Sequence, residues 1–472
     1  MKRYTIAFAL LALVSCGKFT EIDPKGQNLL DRVTDLDQLL NYQFSGGAAT
    51  TQMFFEMNAA SALVNDLYPR ALNVPNTINT PVKNLNTITL TWDETADRAA
   101  LTASDTGYEL FYSIIGKVAN PVLLMVDNAS GDRGVAARLK AEAHVLRAYF
   151  HYLAVNLFAK AYHPETADTD GGVPYAREND LLSVPNPKYS VQEVYDFILA
   201  DLQAAFDLNS LPDHPSNPMR VGKPFAYAVE AKVRMSMHDF EGAEAAANRS
   251  LALQDEVEDY RDHLVPGANL LGVAGTYFHH PELECAEDLF YISSTYLALG
   301  AFTLEMSAAF EPGDIFFDYL AKYNAFGPAA YGLSGIDVMA ATTVFKNSLG
   351  LTTVEMHLTV AECMIRSGRV TAAMDILNAI RQKRVEPCTP VPATDAADAF
   401  ALLKRVSRTE TWFGPRHFID LKRWNTEAAH RETLRKTLLG TVYELRPDSP
   451  LWVFPFPQNA TGFNPNLTQN YE

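Results

Sequence analysis

Cys16 is the residue best placed for covalent chemistry. It ends the run Leu13-Val14-Ser15-Cys16, behind an apolar stretch from Ile6 to Val14 and a basic start at Lys2 and Arg3. That stretch is too short for a bilayer span, which takes about 20 apolar residues, and it has the build of an export leader. The Leu-Val-Ser-Cys ending resembles a bacterial lipobox. Residues 1–15 then form a signal peptide, and Cys16 becomes an acylated N-terminus that opens a linker over 16–30. Acyl chains at ~0.8 kcal/mol per buried CH2 hold such a protein at a membrane surface.

Other clusters of reactive side chains are weaker. His279, His280, Glu282, Glu284 and Cys285 are of metal-ligand type, but their spacing fits no zinc arrangement. Asp168 to Gly172 starts like a calcium loop and lacks the later Glu that such a loop needs. No Gly-x-Ser-x-Gly elbow, phosphate loop, His-Glu-x-x-His pair or dinucleotide-binding glycine pattern is present. No carboxylate pair stands out among the 56 acidic residues as a glycosidase pair would. The expectation is a protein without catalytic residues, metal or cofactor.

Composition narrows the partners. The 472-residue chain carries a formal charge of −17, which becomes −19 once Lys2 and Arg3 leave with the leader. So acidic a body repels phosphate backbones, and nucleic acid is excluded as a partner. With 48% hydrophobic residues the chain can build a large core. Cys285, Cys363 and Cys388 are too few and too scattered for a disulfide framework, and read as small buried hydrophobes.

Helical periodicity supplies the positioning elements. It predicts helices over 31–42, 108–126, 135–158 and from the Ser190 cap to 208. Hairpins follow over 223–253, broken at His238-Asp239, and over 353–384, broken at Gly368. A last helical stretch, 398–424, breaks at Gly414-Pro415. In the hairpins Ala231 and Ala243, and likewise Ala361 and Ala373, sit one tetratricopeptide interval apart, which lets antiparallel helices approach closely. The fold class expected is mainly α: tetratricopeptide-like hairpins forming an α-solenoid core with long loop-rich insertions. Stretches 45–91 and 255–350 lack a sustained period and read as long loops, a length usually tied to function or disorder.

The C-terminal third resembles the SusD/RagB family of outer-membrane nutrient-binding lipoproteins. Glu410, Phe413, Asp420-Leu421 and Arg423-Trp424 keep the spacing of the family signature, while Gly414, Pro415 and His417 depart from it. Arg416 stands four residues before Asp420, within pairing reach on a helix. Pro455-Phe456-Pro457 and the Gln469-Asn470 ending are similar to the family's terminal elements, although Ala460 stands where a Glu is common. Arg147 to Phe158 and Gly171-Gly172-Val173-Pro174-Tyr175 resemble a third block. These matching segments read as scaffold.

The resemblance implies a SusD-like organisation. An N-terminal region covers 31–255 with loop insertion 45–91, a loop-rich insertion covers 256–350, and a C-terminal region covers 351–472. It further implies a lipid-anchored protein on the outer-membrane surface, docked as a lid on a SusC-like TonB-dependent barrel. Such a lid captures glycan oligomers without cutting them; peptides are the alternative ligand, and an anchored hydrolase or a protein-binding helical scaffold are readings from other classes. A glycan surface needs aromatic rings for sugar faces and polar groups for hydroxyls. The candidates are Asp66, Tyr68, Arg70 and Trp92 in the first loop stretch, and Tyr277, Tyr291, Tyr296 and Tyr323 in the second; ordinary core packing is the competing role of each.

Overall fold

Helices start where side chains can cap them. The Ser190 hydroxyl accepts from the Glu193 N–H (3.2 Å) while the Glu193 carboxylate accepts from the Ser190 N–H (2.8 Å), a reciprocal capping box. Thr352 and Glu355 repeat it. Asp105, Asp132 and Asp239 cap three more helices through their carboxylates.

The computed structural model describes residues 30–41, 59–69, 73–181, 183–268, 272, 274–292, 301–321, 327–337 and 346–471. The N-terminal half holds α1 (Val33–Leu40), α2 (Val74–Ile78), α3 (Leu85–Thr91), α4 (Arg98–Leu101), α5 (Thr106–Ile114), α6 (Asn120–Met125), α7 (Arg133–Phe158) and α8 (Val191–Asp207). The first hairpin is α9 (Lys223–Ser236) with α10 (Phe240–Leu251). Then come β1 (Leu264–Ala268), antiparallel to β2 (Ala274–Phe278), and the short helices α11 (Leu304–Ser307) and α12 (Gly327–Tyr331). The second hairpin is α13 (Thr353–Arg366) with α14 (Val370–Gln382), followed by α15 (Ala396–Thr411) and α16 (Arg416–Trp424). A ribbon of β3 (Leu434–Leu438) and β4 (Thr441–Leu445) and the short α17 (Gln458–Thr461) complete the described chain.

These helices form a tetratricopeptide-like stack. α7 packs on α8, α9 on α10, α10 on α13, and α13 on α14 and α15. The two hairpins are therefore neighbours in the stack although the second loop stretch separates them in sequence. Ala231, Ala243, Ala361 and Ala373 are all fully buried where the helices meet. One continuous apolar core runs through the stack, and two smaller clusters lie where the loop stretches join it.

Three expectations are corrected. Stretch 45–91 is not irregular throughout: residues 59–63 are helical, and Asn73 and Asn84 cap α2 and α3 with their side-chain oxygens. The Asn and Thr residues that look like loop composition are caps and first-turn residues. Stretch 255–350 contains the β1–β2 ribbon and short helices. The helix expected over 108–126 is interrupted by a π-turn at Ile115–Ala119, just ahead of Pro121, whose missing N–H breaks the regular ladder.

Candidate functional site

The two loop stretches are stitched together by backbone. The Tyr68 N–H donates to the Ala301 carbonyl (2.9 Å), and the Thr303 N–H donates to the Asp66 carbonyl (3.1 Å). The Thr303 hydroxyl adds a bond to the Asn65 carbonyl (2.6 Å). Segment 65–68 thus runs beside 301–303, and Asn65 tolerates the left-handed φ of 62° that its turn requires.

Buried polar groups lock this seam onto the stack. Both carboxylate oxygens of Asp66 are occupied: Oδ1 accepts from Arg408 Nε (2.8 Å), and Oδ2 pairs with His417 Nδ1 (2.6 Å). Trp92 Nε1 donates to the Leu63 carbonyl (2.8 Å), and the Lys436 ammonium lies 3.8 Å above its ring. That geometry is a cation–π contact. Burial pushes the Tyr68 hydroxyl well above its ordinary pKa, and its ring meets that of Tyr331 at 6.1 Å.

Asp66, Tyr68, Trp92 and Tyr291 are therefore buried and do not form the exposed surface expected of them. Their pattern of apolar and polar neighbours is the same whether a side chain faces in or out, so sequence could not separate the cases. Tyr277 is half-buried on β2. Adjoining it is the turn Phe317–Ala321, which carries the exposed Tyr319, a ring that sequence reasoning missed. Cys16, Arg70, Tyr296 and Tyr323 lie outside the described residues. Of the later cysteines, Cys285 and Cys363 are buried as expected and Cys388 is half-exposed; all three are free thiols. Among the described residues no group of three or more His, Cys, Asp or Glu converges on a common point.

Beside the seam lies a cleft of about 340 Å³ between 59–63, α3 and the segment 451–455. Its walls are mostly apolar, with Leu63, Leu85, Ile88 and Phe454, and Asn86 and Ser104 add polar atoms at the rim. Arg98 closes its inner end, donating to the carbonyls of Val453 (2.7 Å) and Pro450 (2.9 Å). Burial lifts the Asp105 carboxyl to about 6 against the pull of the N–H groups that it caps. Such a cleft accepts an apolar face and a few hydroxyls.

Comparison with known proteins identifies the architecture. Residues 30–235 match a SusD-like family described as starch-binding and associating with the outer membrane, and residues 353–472 match the SusD family. The chain belongs to the SusD/RagB family. Among solved structures, a SusD superfamily protein from Bacteroides fragilis superposes with a TM-score of 0.67 at 17% identity, over 94% of this chain and 100% of the other. A SusD superfamily protein from Bacteroides vulgatus gives 0.64 at 17%, over 93% and 98%. Surface glycan-binding protein A from Bacteroides uniformis gives 0.65 at 16%, over 93% and 100%. No match was found among curated proteins.

In this SusD/RagB chain the signature residues are scaffold contacts. Arg384 bridges Glu287 (2.7 Å) and Glu410 (2.9 Å), and Arg423 clamps Glu362 with two bonds of 2.8 Å. Arg416 corrects its expected partner: it pairs with Glu355 (2.9 Å) of α13, while Asp420 pairs with Lys232 (3.1 Å) of α9. Both partners come from the neighbouring hairpins, which local helical spacing cannot reveal. The tail acts likewise. The Gln469 amide bonds both backbone groups of Phe456 (2.8 and 3.0 Å), and the Asn470 amide donates to the Phe158 and Gly172 carbonyls (both 2.8 Å). A Cβ on Gly171 would stand 2.4 Å from Asn470 Oδ1, so the Gly-Gly block and the Asn ending fit as one contact.

Proposed function

We propose that this protein is a lipid-anchored outer-membrane binding protein that captures glycan oligomers and passes them to a SusC-like TonB-dependent barrel. The observation that carries the reading is the seam: two loop stretches held rigidly on a helical stack, with Tyr277 and Tyr319 on adjoining elements at its edge. Aromatic rings stack on the C–H faces of sugars, while the cleft rim offers hydroxyl partners. Rigid mounting lowers the entropy lost on binding. Among the described residues no helix is long and apolar enough to cross a membrane, so anchoring is assigned to Cys16. The proposed role is capture, with chemistry left to other proteins.

The test uses full-length protein in mild detergent against neutral glycan oligomers and peptide pools, by calorimetry and affinity electrophoresis. One glycan class should bind, and Tyr277→Ala with Tyr319→Ala should weaken it at least tenfold without lowering the unfolding temperature. Binding confined to peptides, or turnover of any substrate, overturns the reading. A barrel transporter should co-purify from solubilised membranes.

A further inference from the structure

A second cavity, of about 600 Å³, opens between residues 160–170, the end of α16 and segment 447–453. It shares that segment with the cleft above but takes Trp452 where the cleft takes Leu451 and Phe454. Signature helix α16 contributes Lys422 to its lining, and Tyr471 follows the Gln469-Asn470 ending.

Its floor carries a buried lysine with no carboxylate partner among the described residues. Lys422 is 4% exposed, and its ammonium donates to the carbonyls of Asn156 (2.7 Å) and Ala159 (2.5 Å) at the end of α7. Among the described residues no carboxylate pairs with it, and burial alone acts on its pKa, pushing it down to about 7. The carbonyl end of α7 supplies part of the opposing charge, and burial favours the neutral amine until an anion approaches.

Further donors line the same space. Asn425 is nine-tenths buried; its Oδ1 accepts from the Glu432 N–H (3.1 Å), and its Nδ2 has no partner among the described residues. His163 Nδ1 accepts from the Glu165 N–H (3.3 Å), which leaves Nε2 as the protonated nitrogen. Lys160, half-exposed at the mouth, shares its charge with Asp170 at 3.2 Å. Tyr471, stacked on the Arg98 guanidinium at 4.2 Å, adds an aromatic wall.

We propose that this cavity is a second ligand site, built for a carboxylate-bearing sugar unit. Lys160, His163 and Asn425 donate to the carboxylate and ring hydroxyls, Tyr471 takes the ring face, and the approaching carboxylate favours the protonated form of Lys422. Asp170 and Asp448 also line the cavity. Asp170 is held by Lys160 (3.2 Å) and the Thr166 hydroxyl (2.6 Å), and the exposed Asp448 faces Arg446 (3.6 Å), so the ligand carboxylate seats on the Lys422, His163 and Asn425 side. The cavity is separate from the seam.

The test measures binding of glucuronic acid, glucose and glucose 6-sulfate to full-length protein in mild detergent. Glucuronate should bind at least tenfold more tightly than glucose and weaken as salt rises. Lys160→Ala with His163→Ala should cost about tenfold in that affinity. Should the double variant be unstable, Lys160→Gln alone should cost at least threefold. Glucuronate no tighter than glucose, an unaffected variant, or glucose 6-sulfate matching glucuronate would overturn the proposal. Neutral oligomers captured at the seam should bind these variants normally, so the two sites fail independently.

Discussion

Asp314 sits where the second loop stretch meets the stack, next to backbone bonds from Ile315 to Arg384 and from Glu386 to Gly313. Its Oδ1 accepts from the Phe317 N–H (2.9 Å). Burial lifts its carboxyl to about 7, with the Glu410 charge adding to the rise and Arg384 and Lys346 opposing it. The folded state therefore prefers the neutral acid. From about pH 4 to 7 the unfolded chain loses this proton while the fold keeps it, so the contribution is complete below pH 4 and is lost as pH rises through 7. The size is of order 4 kcal/mol for three pKa units. Asp314→Asn keeps an acceptor and removes the titration. Urea midpoints at pH 4.5 and 8 should show the variant gaining on the parent at pH 8; parallel pH profiles would refute the assignment. Asp66 carries the matching lesson about reading residues. Its type suits a ligand contact, yet Arg408 and His417 claim both its oxygens, and no local pattern announces partners so distant in sequence.

Between α15 and α16 the chain turns at Gly414, with φ of 87°. A Cβ there would stand 2.0 Å from the Ser348 carbonyl oxygen, so the turn is pressed against the end of the second loop stretch. Ser61, from the first stretch, donates to the carbonyls of both Trp412 (2.8 Å) and Gly414 (2.9 Å). Gly414→Ala should cost about 2 kcal/mol or more, combining left-handed strain of ~1–2 kcal/mol with the clash. Gly368, at φ 80° between α13 and α14 with open space around it, isolates the strain alone. Gly368→Ala should therefore lower the urea midpoint less than Gly414→Ala, and equal losses would show that the Ser348 contact is unimportant. Helix existence, both hairpin breaks and the break at Gly414 were legible because caps and periodicity are local. The short helices of 59–91 were not, since Asn and Thr serve caps and loops alike.

For the whole molecule, the stack is one body although its two hairpins are far apart in the chain. The intervening stretch leaves after α10, reaches the seam with 65–68, and returns to α13, which packs against α10. Its own small core of Phe278, Phe302, Phe316 and Trp412 ties it to the end of α15. Such an attachment makes the proposed capture surface part of the rigid molecule. The proposed placement of that molecule at a membrane surface rests on Cys16. Cys16→Ser should abolish metabolic labelling by palmitate and shift the protein from membrane to soluble fractions; a membrane-bound, unlabelled variant would disprove lipid anchoring.

Sequence alone determined the family, the helical class, the hairpin pairing and the two stretches that meet at the seam. Each of these rests on local spacing, on turn and cap chemistry or on motifs read in order. Tertiary structure decided which aromatic rings face inward and which carboxylates are already paired. It also decided where cavities open beside the C-terminal segment. The physical reason is that burial and charge pairing depend on approach between distant segments, and side-chain type is nearly the same for a ring that packs a core and a ring that grips a sugar.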